Sequence, residues 1–218
     1  MFEIRITERV HQLIHPYIQA GDVVIDATMG NGNDTLFLAE SVGSHGLVFS
    51  FDIQKQAIEV TRNKLIKNQY EKPFLIHKDD RFEKTPSEEG VYLMNHSHEN
   101  IDFIPIEHFA KEQKISCILF NFGYLPGGDK TITSHSHVSL EAIKKSLRLV
   151  KEKGIVSLVT YPGHAEGQIE DLAIEHLLSG LSSKCFEILK ISYVNRSQKA
   201  PKQYLIYKKR CQTTDNVL

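Results

Sequence analysis

Val23-Val-Ile-Asp26-Ala-Thr-Met-Gly30-Asn31-Gly32-Asn33-Asp34-Thr35 is the stretch whose reading decides the fold. A short β-branched run feeds an acidic residue, two glycines follow one residue apart, and small polar residues open a helix. Glycines in such a turn let backbone approach a ligand, and the helix start points free N–H groups into the crevice at the strand's carboxyl end. Asp26, Gly30 and Gly32 are therefore candidate cofactor residues. A ligand-free tight turn would share the pattern, but Asp52 stands at the end of the next apolar run, 26 residues after Asp26. That interval is one βαβ unit, and a carboxylate there suits a ribose diol.

The loop's chemistry narrows the ligand. The third glycine of a dinucleotide-binding G-x-G-x-x-G is absent, with Thr35 in its place. Asn31, Asn33 and Asp34 put amides and a carboxylate where a diphosphate would be repelled. NAD stays open on the ribose criterion. S-adenosylmethionine has no phosphate and carries a sulfonium and an ammonium, so it tolerates acidic neighbours and is favoured.

Outward from this stretch, strands and helices alternate. Apolar periodicity predicts helices over 6–19, 34–41, 55–68, 138–151 and 169–181. In the fourth of these Leu140, Ile143, Leu147 and Val150 face inward. Strands are expected at 23–27, 47–52, 115–120 and 155–160, and then at 185–193 and 203–207. Residues 74–76 and 91–94 are both strand candidates, with the charged, Pro86-containing stretch 78–90 as an exposed excursion between them. The alternation predicts an α/β fold: a doubly wound, mostly parallel sheet with helices on both faces. The last two strands leave no room for a crossover helix and should pair antiparallel. Residues 1–210 are expected to form one domain, with 211–218 as a tail.

At 218 residues, 41% hydrophobic and 24% charged, the composition is that of a globular domain. No apolar run reaches membrane-span length, and Glu3, Arg5, Glu8 and Arg9 argue against a signal peptide. Cys117 and Cys185 lie in apolar, strand-like segments without a CxxC pair, so both are expected as reduced, buried thiols of a cytoplasmic protein. A net charge of −1 offers no global field for nucleic acid. Between Lys184 and Arg210, however, eight basic residues face one acidic residue, Glu187. Such a run is either a set of solvated strand edges or a docking face for a polyanion.

Histidine pairs need separate weighing. His96-Ser97-His98 follows the 91–94 run, where Ser97 can hydrogen-bond an adenine nitrogen and His98 can stack. With His135 and His137 these histidines would make a metal-dependent hydrolase. No carboxylate motif completes a ligand shell, and no metal is expected. His11 and His15 read as solvated.

The 115–120 strand delivers Asn121-Phe-Gly-Tyr124-Leu-Pro-Gly-Gly-Asp129-Lys130. An asparagine oxygen at a strand end can accept an amine's hydrogens and aim its lone pair at a methyl group. Tyr124 would position the ring bearing the amine, and Asp129, then His164, are candidate proton acceptors. The pattern resembles the Asn-Pro-Pro-Tyr motif of amino-methyltransferases, with Phe122 and Gly123 in place of the prolines.

A wider resemblance follows. The glycine loop, Phe51-Asp-Ile-Gln54, Ser97-His-Glu-Asn100, the Asn121–Lys130 block and Tyr161-Pro-Gly-His164 occur together and in order. The chain resembles the bacterial family once labelled rRNA methylases. That family includes the tRNA methyltransferase converting 5-aminomethyl-2-thiouridine at the wobble position to its methylaminomethyl form. The resemblance implies a seven-stranded, Rossmann-like class I methyltransferase sheet with an antiparallel C-terminal strand, and S-adenosyl-L-methionine as donor. It implies cofactor contacts at Asn31, Asn33, Asp52, Gln54, Ser97 and His98. The implied partner is a tRNA anticodon loop, with Lys130, His164, Lys199 and Lys202 toward the substrate; nothing excludes a homodimer. The 78–90 excursion and Asn195-Arg-Ser-Gln-Lys-Ala-Pro201 depart from the family pattern. Ribosomal RNA or a small amine is the alternative acceptor, and a methyltransferase fold kept only for binding is a third reading.

Overall fold

The computed structural model describes residues 6–70, 74–76, 89–103, 115–123 and 136–210. The described strands form one eight-stranded sheet: β1 (Val23–Asp26), β2 (Leu47–Phe51), β3 (Phe74–Ile76), β4 (Gly90–Met94), β5 (Ile115–Asn121), β6 (Ile155–Thr160), β7 (Phe186–Ile191) and β8 (Lys202–Lys208). Their spatial order is β3-β4-β2-β1-β5-β6-β8-β7. Pairings from β3 through β6 are parallel. β8 runs antiparallel between β6 and β7, as the short final connection requires. The seven expected strands are all present in class I methyltransferase order. Residues 74–76 add an eighth, pairing Phe74 with Tyr92 at the sheet edge.

Among the described residues five α-helices cover the sheet: α1 (Ile6–Ile14), α2 (Asn33–Val42), α3 (Lys55–Lys67), α4 (Ser136–Leu149) and α5 (Ala165–Ser179). Strand alternation sorts the core into two layers. Val23 and Ile25 pack with Ile143 and Leu147 of α4 and Ile174 of α5. Val24 and Val48 pack with Ile14 of α1, Leu38 of α2 and Leu65 of α3. Because both faces are covered, β1 is buried at all four positions, which explains its unbroken apolar run.

The departures from expectation have local causes. α1 ends at Ile14 and gives way to a 3₁₀ turn, His15–Tyr17, because Pro16 cannot donate the next helical hydrogen bond. α5 starts at Ala165, earlier than expected, because His164 acts as its N-cap: Nδ1 accepts the Gly167 N–H at 3.1 Å. The inner face of α4 is narrower than its leucines suggest, with Ser139, Ala142 and Ser146 buried beside Ile143 and Leu147. Small residues let α4 approach α5, where Ser139 donates to Glu170 at 2.6 Å. Cys117 is a buried free thiol, whereas Cys185 is disulfide-bonded, against the reduced state expected of both. The tail 211–218 and most of the 78–90 excursion lie outside the described residues.

Candidate functional site

The carboxyl ends of β1, β2, β4 and β5 lie side by side. Asp26 ends β1 fully buried. Its Oδ1 accepts the Thr28 N–H at 3.1 Å and its Oδ2 accepts the Thr35 hydroxyl at 2.6 Å. Asp26 therefore builds the loop. Burial, reinforced by the nearby Asp34 carboxylate, raises its pKa to about 7. A carboxyl with a raised folded pKa binds extra protons in the folded state. Its ionisation should therefore weaken the fold as pH rises from the ordinary carboxylate range through about 7. Thermal melts of wild type and Asp26→Asn across that window should diverge, only the wild type losing this contribution toward pH 7.

Asp52 sits just past β2 and ties two loops together. Its Oδ2 accepts the Gly30 N–H at 3.0 Å and its Oδ1 the Gln54 N–H at 2.8 Å. Gln54 is the N-cap residue of α3 and contributes this backbone N–H, not a side-chain cap. Gly30 is held at φ +50°. Gly32 has φ +70°, and a Cβ there would lie 2.5 Å from the Thr61 hydroxyl of α3. The space on the Cβ side of Gly32 is thus filled by Thr61 of α3. Gly32→Ala should cost about 1–3 kcal/mol of stability, from positive-φ strain plus the clash, read from urea unfolding. Asn31 is half-buried in the loop. Asn33 is exposed and accepts from Lys64.

Beyond β4, the Ser97 hydroxyl accepts the Glu99 N–H at 3.4 Å. The His98 ring stands edge-on to Phe120 and Phe122, with centroids 6.0 and 5.9 Å away. Burial lowers its pKa to about 4, so the imidazole is neutral, and its buried Nε2 has no hydrogen-bond partner.

Asn121 ends β5 opposite the glycine loop. Its backbone N–H donates to the Thr28 hydroxyl at 2.7 Å, fixing it against β1's loop. Its side chain hydrogen-bonds Tyr161, and its Nδ2 lies 3.5 Å from Asp34 Oδ2. Its Oδ1 is buried without a hydrogen-bond partner. Burial, with Asp34 adding to it, raises the Tyr161 phenol to about 12 and keeps it protonated. Phe122 turns inward and stacks on Phe120 at 5.1 Å, so it is core rather than a substrate platform.

Three further side chains are already engaged within the protein. His11 is not simply solvated: its Nε2 is 2.7 Å from Asp34 Oδ1 and its ring lies flat on Phe37 at 3.9 Å. Lys202 is paired with Asp171 at side-chain exposures of 12% and 2%, so it is not presented to a phosphate. His164 spends Nδ1 on the α5 cap, leaving that nitrogen unable to serve as proton acceptor. Lys199 is exposed on the β7–β8 connection. Tyr124, Asp129, Lys130 and His135 lie outside the described residues. Among the described residues no group of three or more His, Cys, Asp or Glu side chains could hold a metal ion, and no helix is long and apolar enough to cross a membrane. Sequence reasoning missed Asp34 and Tyr161 as neighbours of Asn121, and His11 as the partner of Asp34. These contacts span 87, 40 and 23 positions and leave no local pattern.

Residues 48–207 match the family described as "Putative rRNA methylase". The chain is 37% identical over 195 residues to the chloroplastic tRNA (mnm(5)s(2)U34)-methyltransferase of Arabidopsis thaliana, aligning 87% of its own length. It spans 65% of that curated relative. A "putative rRNA-methylase" from Clostridium thermocellum superposes with a TM-score of 0.79 at 30% identity, over 95% of this chain and 100% of that one. A "putative methyltransferase" from Streptococcus mutans, solved in complex with SAH, gives 0.72 at 27% identity over 95% and 99%.

Proposed function

Since the chain belongs to the "Putative rRNA methylase" family, we propose that it is an S-adenosylmethionine-dependent methyltransferase acting on the primary amine of 5-aminomethyl-(2-thio)uridine at a tRNA wobble position. The observation that carries this reading is Asn121, whose Oδ1 is buried at a strand end with no partner of its own. A lone acceptor there needs a donor, and an amine supplies one.

The cofactor fits the residues present. Asp52 offers carboxylate oxygens at the end of β2, with acceptor capacity beyond the backbone N–H groups of Gly30, Ile53 and Gln54. His98 Nε2, neutral and unpartnered, lies beyond β4 and can meet a purine nitrogen or hydroxyl. When bound, S-adenosylmethionine supplies an electrophilic methyl group on a cationic sulfur. Asn121 Oδ1 accepts a hydrogen from the substrate nitrogen and orients its lone pair. Tyr161 and Thr28 hold that asparagine. Positioning of this kind supplies much of a transfer rate. Tyr124 and Asp129 are proposed to position the base and take the amine's proton.

The RNA reading is supported by the Arg9–Tyr193–Arg196 surface rather than by the basic run as a whole. Much of that run is internally committed. Lys190 pairs with Glu175, Lys209 with Glu187, and Lys208 donates to the carbonyls of Leu147, Arg148 and Val150. Instead Tyr193, on the β7–β8 connection, carries the Arg9 guanidinium 5.6 Å and the Arg196 guanidinium 4.3 Å from its ring centre. A shallow hollow lined by Ile6, Arg9, Tyr193 and Pro201 lies beside them. Arginine and tyrosine together suit phosphates and unstacked bases of a single-stranded loop. A double Arg9→Ala, Tyr193→Ala variant should bind anticodon stem-loop RNA about tenfold more weakly, with a shallower salt dependence, in filter-binding titrations.

The whole reading is tested by calorimetry with SAH and by nucleoside mass spectrometry of aminomethyl-modified tRNA after incubation with protein and S-adenosylmethionine. A mass gain of one methyl on the wobble nucleoside supports it; no SAH binding removes it. Transfer to ribosomal RNA alone would replace the tRNA substrate.

A further inference from the structure

We propose that Asp34 and His11 are positioning residues for Asn121, holding its amide in the one orientation that offers oxygen to the substrate nitrogen. This rests on the amine-methylation reading above.

An asparagine side chain has two nearly isosteric orientations, exchanging oxygen for NH2. At a site that must accept hydrogens from an amine, the wrong orientation sets donor against donor. A neighbour that can only accept decides between them. Asp34 Oδ2 is such a neighbour, 3.5 Å from Asn121 Nδ2. With the NH2 turned to Asp34, Oδ1 is the atom left without a partner.

Asp34 is itself fixed from two sides. It sits in the first turn of α2, where the helix dipole favours a carboxylate, and its other oxygen is 2.7 Å from His11 Nε2. His11 is immobilised by stacking on Phe37, with ring planes 4° apart. The N-terminal helix α1 thereby braces the acceptor asparagine through one carboxylate. The other charged or titratable groups acting on Asp34 are Lys64 from α3, Asp26 from β1, Cys117 from β5 and Tyr161 after β6.

Charge gives Asp34 a second effect. In the transfer a nitrogen–carbon bond forms, the carbon–sulfur bond breaks with its electrons staying on sulfur, and the positive charge moves onto the accepting nitrogen. A carboxylate beside the residue that holds this nitrogen favours that movement.

The test uses the full chain as His11→Ala, His11→Gln and Asp34→Asn, with kcat and KM on aminomethyl-modified tRNA and SAH affinity by calorimetry. Expected are a fall in kcat of about 100-fold for Asp34→Asn and about tenfold for His11→Ala, with KM and SAH affinity held within about twofold. His11→Gln should regain most of the loss, because its amide can still donate to Asp34. An unchanged kcat in His11→Ala overturns the proposal, as does a loss that merely follows SAH affinity. A wild-type chain that binds SAH but transfers no methyl group to this RNA overturns the functional reading, and this inference with it.

Discussion

Asn121→Ala should lower kcat for methyl transfer by about 10²–10³-fold and leave SAH affinity within about twofold. The substitution removes the Oδ1 acceptor and the Nδ2 contact to Asp34. It spares the structural tie, because Asn121 is anchored to the Thr28 hydroxyl through its backbone N–H. Phe122 and Phe120 stay packed in the core on either side, so the end of β5 keeps its course. Asn121→Asp is the informative companion. It restores an acceptor but brings a second carboxylate against Asp34, and it should recover little activity. Single-turnover transfer with saturating cofactor separates this chemistry from binding. Near-wild-type transfer by Asn121→Ala would place the accepting nitrogen elsewhere.

Asp171→Ala should cost about 3–5 kcal/mol of stability, a drop in Tm of about 10 °C for a chain of this size. Asp171 lies on α5 at 1% exposure and gathers three donors. Thr160 of β6 donates at 2.6 Å, Tyr204 of β8 donates at 3.0 Å, and Lys202 of β8 brings its ammonium to the second oxygen. Removing the carboxylate strands a nearly buried cation and the Thr160 hydroxyl, and leaves the Tyr204 hydroxyl with only its longer bond to Glu175 Oε2 at 3.3 Å. Burial, then the Asp171 charge itself, pushes the Tyr204 phenol well above its ordinary value, so it serves as donor throughout the working pH range. Asp171→Asn keeps the shape without the charge and should fall between wild type and alanine in urea titrations. The effect on cofactor affinity should be small, since the cluster pins the helix–sheet junction rather than the glycine loop.

The fold was legible because its determinants are local and periodic. Four-residue buried runs such as Val23–Asp26 and the absence of a crossover between β7 and β8 predicted a mostly parallel sheet with an antiparallel end. Element starts were less legible where an unusual residue did a familiar task, as with His164 capping α5. Within the site, Asp52 was readable from its interval. Gly32 was recognised as a glycine position, but its tight contact with Thr61, on a helix whose approach no local pattern encodes, was not. Charge was the most misleading feature. Lys202 reads as one more basic residue in a run, yet its partner Asp171 lies 31 positions earlier in a stretch, 169–181, read simply as a helix. A sequence displays a lysine's formal charge but not whether a tertiary contact has already neutralised it.

The placement of β8 bears on how a ribosome-bound chain matures. β8 leaves the exit tunnel after both β6 and β7, yet it inserts between them rather than adding to a free edge. Until residues 202–208 emerge, β6 displays an unpaired border and β7 has no neighbour to dock against. Nascent polypeptides stalled before that point should therefore be the ones that chaperones hold and proteases clear.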